Sequence, residues 1–278
     1  MDQELLMLLK KFIEQNSSRP DLQFDPNIKP RLPINPYSKN YDEKRRVAHY
    51  FLLVASIDEG RLVGRADNAR KLMVRLYNSL GEKLFTIIDV AKIEEKFNYA
   101  RIGLKLGMQY KLIPEILASV NEFVENKAGG DLIRFARAFH KPYGFVDVLG
   151  RYINRMGKTR SSARKKAWMY MRWMVRSYPD LRIFDNFSPK DLYVPLDRNV
   201  ARVAAFLGIL SSTENLGWTE VEKVTSFARK LYPDDPAKID YPFFLLGRML
   251  RQRYGNHVKP SQYKLKILLK RIFENNLS

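Results

Sequence analysis

The chain contains no cysteine. Disulfides, thiolate zinc sites and iron–sulfur clusters are therefore excluded. Histidine is nearly as scarce. The three present, His49, His140 and His257, share no metal-ligand spacing, so neither a metal nor a cofactor is expected. No apolar run reaches the ~18 residues that a membrane span needs. The opening Met1-Asp2-Gln3-Glu4 is acidic, the wrong sign for a secretory signal, and a cytoplasmic, prokaryotic setting is expected. Acidic residues are in the minority, 30 against 49 Lys and Arg, for a net charge of +19. That imbalance points to a polyanionic partner. An anionic membrane surface is the competing partner, but no long amphipathic helix with a lysine face supports it.

Strand alternation, internal repeats and low-complexity tracts are also missing. Hydrophobic residues make up 45% of the chain, enough for a real core in one large or two small domains. The fold class expected is all-α, in two helical lobes: residues 41–184, and residues 1–40 combined with 185–278. Apolar residues at helical spacing predict helices over 2–14, 42–58, 68–80, 131–140, 145–156, 219–231, 240–254 and 259–273, with two or three more between 84 and 125. Pro20, Pro26, Pro30, Pro33 and Pro36 rule out a regular helix and predict an extended arm between the lobes. Gly60 is expected to cap the helix that ends at Asp58, and Gly103 and Gly107 to mark close helix packing. Asp131 is placed to cap the helix that follows it.

The stretch from Ser161 to Gly208 organises the rest. A basic cluster, Arg160-Ser161-Ser162-Ala163-Arg164-Lys165-Lys166, leads into a helix with Ala167, Tyr170, Met171, Met174 and Val175 on its apolar face. Ser161 or Ser162 is expected to cap it. Val194-Pro195-Leu196-Asp197 then opens the next helix, with Asp197 as its cap. Gly157-Lys158-Thr159 is not a phosphate loop. No glycine stands five residues before Gly157, and the preceding segment is helical. It reads instead as the turn of a hairpin between two helices, offering a phosphate site.

A lysine opening one helix and a Pro-x-Asp opening the next resemble the helix-hairpin-helix DNA glycosylases. The interval from Lys165 to Asp197 is similar to that of the archaeal GO (8-oxoguanine) glycosylases. Arg172-Trp173-Met174-Val175-Arg176 and Pro195-Leu196-Asp197 are similar to an allied uncharacterised family, and Leu245-Leu246-Gly247-Arg248 resembles the superfamily's late Gly-Arg helix. The resemblance covers the second half of the chain well and the first half in helix pattern only.

The resemblance implies a helix-hairpin-helix-like element at a cleft between two lobes. It implies a DNA glycosylase with AP-lyase activity on double-stranded DNA carrying a damaged base or an abasic site, acting without a cofactor and as a monomer. Lys165 would be the nucleophile that forms a Schiff base, Asp197 its partner, and an oxidised purine such as 8-oxoguanine the substrate. The Leu-Pro-Gly-x-Gly hairpin is replaced here by Gly157, Lys158, Arg160, Arg164 and Lys166, which would contact DNA. Asp58, Trp168 and Met169 would form the base pocket, Met169 standing where the archaeal family has an aromatic. A helix N-terminus and the cations Arg164 and Lys166 are expected to lower the pKa of Lys165, and Lys166 is the neighbouring alternative nucleophile. The competing reading is a non-catalytic DNA- or RNA-binding protein with a glycosylase-like fold.

Overall fold

Short polar side chains start many of the helices. In each case the side-chain oxygen of an Asp or Asn accepts from a backbone N–H of the first turn, satisfying a donor that the helix itself cannot. Asp2 opens α1 (Gln3–Ser17) and Asn40 opens α2 (Tyr41–Ile57). Asp89 opens α5 (Val90–Ala100), Asp131 opens α7 (Leu132–Ala136) and Asp197 opens α10 (Arg198–Phe206). The others are α3 (Gly60–Val63), α4 (Ala66–Leu80), α6 (Ile113–Asn126), α8 (Pro142–Tyr152), α9 (Lys165–Val175), α11 (Trp218–Leu231), α12 (Asp240–Tyr254) and α13 (Gln262–Glu274). The computed structural model describes residues 2–159, 161–256 and 259–274. Among these the chain is all-α, with thirteen α-helices and no strand. None of the helices is long and apolar enough to cross a membrane.

Two hydrophobic cores form. The first gathers side chains of α2 and of α4 through α9, with Phe51, Leu72, Phe145 and Trp173 at its centre. α2 and α9 are its axis, and Tyr170 on α9 donates to the carbonyl of Ala48 on α2 at 3.1 Å. The second core joins Leu9 and Phe12 of α1 to Val203 of α10, Val224 of α11, Phe243 and Leu246 of α12, and Leu269 of α13. Its tightest contact is between α10 and α12. A Cβ at Gly247 would collide with the backbone of Asn199, so glycine is what lets the two helices touch.

Two features tie the cores together. One is aromatic: Trp168 and Trp218 stack at 6.3 Å, and Tyr193 lies 5.0 Å from the first and 4.8 Å from the second. The other is the proline-rich arm. Without a regular ladder its carbonyls need other donors, and buried Arg70 supplies them. Its guanidinium bonds the carbonyls of Leu22, Asp25, Ile28 and Pro30 at 2.6–3.1 Å.

Several local expectations change. The arm, grouped with the second lobe in the sequence pattern, packs on the first core, where Phe24 lies 5.7 Å from Phe51 and 5.9 Å from Trp173. Phe24, the packing of Leu32, Ile34 and Tyr37, and the Arg70 bonds together outweigh chain continuity with α1. Gly60 caps nothing. Asp58 ends α2 and Gly60 begins the one-turn helix α3. Gly107 lies in a loop, where a Cβ would strike the carbonyls of Gly60 and Arg61, so it serves a loop-to-α3 contact and not helix packing. α7 stops at Ala136, short of His140. Neither Ser161 nor Ser162 caps α9. That position is taken by Arg164, in the left-handed region at φ 48°.

Candidate functional site

Lys165, Met169, Arg172 and Arg176 fall at successive helical returns along α9, so one face of this helix carries them all. The first three look into a cleft of about 1340 Å³, walled by the end of α2, by α3 and the start of α4, by the arm at Asp21, and by the starts of α10 and α12. Lys165, Asp197, Asp58, Met169 and Gly157 all line it.

The start of α9 is held from below. Arg164 is buried, and it donates to Asp147 at 2.7 Å and to the carbonyl of Gly157 at 3.3 Å. Gly157 has φ 103°, and a Cβ there would sit 2.7 Å from the Arg164 side chain. A Cβ on Gly150 would sit 2.6 Å from the Gly157 carbonyl. The hairpin between α8 and α9 is thus closed on an arginine core. Arg164 is spent on that closure and is not available to a DNA phosphate, contrary to the expectation for it.

Lys165 and Lys166 grip the end of α2, whose last carbonyls have no intrahelical partner and attract cations. Lys165 Nζ lies 3.4 Å from the Asp58 carbonyl and 4.0 Å from its carboxylate. Lys166 Nζ donates to the Ser56 carbonyl at 2.7 Å and to Glu59 at 3.4 Å. Glu59 also receives Arg155 at 2.6 Å, and this pairing outweighs burial and keeps its carboxyl below the usual range. The two lysines differ in access. The Lys165 side chain is 28% exposed and that of Lys166 only 7%. Lys166 is therefore a buried packing and pairing group, not the DNA contact expected of it.

Their protonation also departs from expectation. Burial alone would lower the pKa of Lys165, but the carboxylates of Asp58, Asp197, Asp240 and Asp21 outweigh it and raise the pKa above the ordinary lysine value. The basic neighbours do not decide, because carboxylates from four other segments surround the ammonium. Lys166 shows the lowered pKa instead: burial pushes it down to about 8, against the pull of Glu59. Asp58 is raised, first by burial and then by Asp21 and Asp197, while Lys165 opposes the shift. Asp197 uses one oxygen as a cap, accepting from the amides of Asn199 and Val200 at 2.8 Å each.

Further along the same face lies a feature the sequence pattern did not single out. Arg172 donates to Asp240 and to Asp21 at 2.5 Å each and lies 3.6 Å from Asp180. Trp173 Nε1 donates to Asp21 as well. Arg176 bonds Asp180 at 2.5 Å and Asp235 at 2.8 Å. One guanidinium thus joins the arm, the loop after α9 and the start of α12. Three carboxylates crowd it, and Asp240 is pushed up to about 7, by burial first and against the pull of Arg172. The spacing of Lys165, Met169 and Arg172 was the only signal in the sequence that could have exposed this cluster.

The remaining expectations sort plainly. Trp168 is fully buried among Tyr143, Tyr193 and Trp218 and lines no part of the cleft, so it is not a base-pocket residue. Three residues from Lys165 and four from Arg172, it shares their side of α9, and it is packing among these rings that keeps it out of the cleft. Lys158 is exposed on the hairpin turn. Arg160 lies outside the described residues. Among those residues no group of three His, Asp or Glu side chains is arranged to hold a metal ion.

No curated protein and no solved structure matches the chain. A family model described as "Protein of unknown function (DUF2400)" matches residues 103–249. The match takes in the hairpin, Lys165, Arg172, Asp197 and Asp240. It spans more than half of the 278 residues, and on that basis the chain belongs to the DUF2400 family.

Proposed function

We propose that the cleft cleaves N-glycosidic bonds in DNA, as a glycosylase with AP-lyase activity that uses Lys165 as nucleophile. The observation that carries this reading is the meeting of a partly exposed lysine with Asp58 and Asp197 in one cleft of a strongly basic protein. An amine ringed by carboxylates has a proton acceptor at hand. Lys165 would pass its proton to Asp58 or Asp197 and attack C1′ of the damaged nucleoside. The C1′–N bond to the base breaks as the new C1′–N bond forms, and the base leaves with the bonding electrons and takes up a proton. Asp197 stabilises the positive charge that develops on the sugar. Opening of the sugar ring gives an imine. Loss of a proton from C2′ then expels the 3′ phosphate, and water releases the lysine. The substrate would be duplex DNA with a damaged base or abasic site, met in the cytoplasm by a monomer.

Asp58 and Met169 are left as the base-pocket candidates. The Asp58 carboxylate or a backbone carbonyl can accept the N7–H that distinguishes 8-oxoguanine from guanine, which makes an oxidised purine the first lesion to test. The resting charge on Lys165 favours a second reading, a non-catalytic nucleic-acid binder in which that ammonium simply meets a phosphate. Borohydride trapping separates the two. The protein is incubated with duplexes carrying 8-oxoguanine, uracil, hypoxanthine or an abasic site. A covalent adduct is expected, and Lys165→Ala should abolish it. No adduct with any of the four sinks the lyase mechanism. Faster release of uracil or hypoxanthine than of 8-oxoguanine sinks only the lesion assignment.

A further inference from the structure

The residues expected to hold phosphate on the hairpin are largely committed elsewhere, yet the cleft has a second source of positive charge. Arg198 opens α10, and Arg248 and Arg251 lie one turn apart on α12. All three are exposed and line the cleft. Among the described residues none of them has a carboxylate within ion-pair distance, although Asp197 and Asp240 line the same cleft and other arginines there are paired. The fold forces them together. Gly247 presses α12 onto Asn199, the residue after Arg198. Buried Arg202 locks that crossing, donating to Asn199 Oδ1 at 3.1 Å, to Asn256 Oδ1 at 3.3 Å and to the Gly247 carbonyl at 3.5 Å. The crowding is felt electrostatically. Arg202 is lowered first by burial and then by Arg251 and Arg198, with Asp197 alone opposing. Like charges gathered at one crossing by rigid helices, none of them in ion-pair contact with a carboxylate, are a standing cost that an anion would relieve.

We infer that Arg198, Arg248 and Arg251 form a phosphate clamp that holds the sugar–phosphate backbone of a nucleic-acid strand across the α10–α12 wall of the cleft. Guanidinium forks suit phosphate oxygens, and the clamp borders Asp197, so a strand seated there runs past Lys165. Arg61 lines the cleft on the α3 wall and can meet the same or the opposite strand. The clamp rests on the reading of the cleft as a DNA site, but not on any chemistry there.

The test uses the full chain and a fluorescent duplex with a tetrahydrofuran abasic analogue, which the lyase cannot cut. Binding is followed by anisotropy between 50 and 300 mM salt. For each lost phosphate contact the slope of log K against log salt should shrink by about 0.9. The Arg198→Gln/Arg248→Gln/Arg251→Gln variant should therefore lose about 2.7 from the slope and bind at least tenfold more weakly at 100 mM salt. Its far-ultraviolet circular dichroism and Tm should match wild type, because the three side chains are exposed. Lys158→Gln should lose at most a single contact. An unchanged slope in a folded triple variant overturns the clamp. So does competition by millimolar inorganic phosphate with no dependence on oligonucleotide length, which would mark a site for a free anion. A reduced slope in a protein that forms no borohydride adduct leaves the clamp standing and overturns only the lyase.

Discussion

Lys165 and Arg172 sit two turns apart on one face of α9, and each is surrounded by carboxylates. The difference is access. The Lys165 side chain is 28% exposed at the open end of the cleft, and Arg172 is 3% exposed at its sealed end. Arg172 has two of its three acids at 2.5 Å, while Lys165 has its nearest carboxylate at 4.0 Å. A buried cation whose two terminal nitrogens are held by carboxylates is a strut. A cation near its acids, with room left beside it, can give up a proton or meet an incoming atom. Both regions set a cation among carboxylates, and what separates them is whether the surrounding helices close over it.

The comparison breaks most visibly at Arg172. Arg172→Met leaves Asp21, Asp180 and Asp240 buried without their shared cation, and this should destabilise the protein by about 3–5 kcal/mol in urea unfolding. Lys165→Met should stay within about 1 kcal/mol of wild type, because its amine is partly solvated. Equal losses at the two positions would show that access does not distinguish them.

Asp197 sharpens the contrast at the open end, since it is both a cap and a cleft residue. Asparagine caps as well as aspartate, so Asp197→Asn should keep the wild-type Tm. Single-turnover excision should nevertheless fall by about 100-fold. Asp197→Ala should add a further stability loss of about 1 kcal/mol. If Asp197→Asn excises at the wild-type rate, the carboxylate is a cap and nothing more.

The pH-dependent effect belongs to Lys166, which shares the chain neighbourhood of Lys165 and the burial of Arg172. Its folded pKa of about 8 lies below the ordinary lysine value of 10.5. Between those values the unfolded chain binds the extra proton, so stability attributable to this group rises with pH from about 8 to 10.5 and is lost as pH falls through 8. The difference in Tm between wild type and Lys166→Met should change across that interval and be flat below pH 7. A difference that is flat throughout would mean that Lys166 titrates as a solvated lysine.

How much of this was legible depends on whether a residue's role is local. The helices over 240–254 and 219–231 were readable to within a residue, because their apolar stripes repeat with the helical period. The cap at Asp197 was readable too, since a carboxylate two residues before a helical amide needs no distant partner. Arg164 and Lys166 were not. In the sequence they are two more cations in a basic run, and only the folded chain brings Asp147, Gly157, Ser56 and Glu59 against them. Trp168 looked like a stacking residue for the same reason: an aromatic beside Lys165 has no visible partner until Tyr193 and Trp218 arrive from the second core.

The sequence by itself determined the all-α class, the position of the helix that carries Lys165, the absence of a helix from the proline-rich arm and the strongly basic character; the arm itself is a run of turns and not the extended segment expected. These follow from period, proline content and charge, which act over a few residues or over the whole chain. Only the tertiary structure decided which cations are free. Arg172 and Arg248 are the same residue type on neighbouring helices, yet one meets acids from three segments and the other faces an open cleft. Pairing of charges depends on where segments far apart in sequence come to rest. That is set by core packing, by Gly247 against Asn199 and Phe24 against Trp173, and not by the charges themselves.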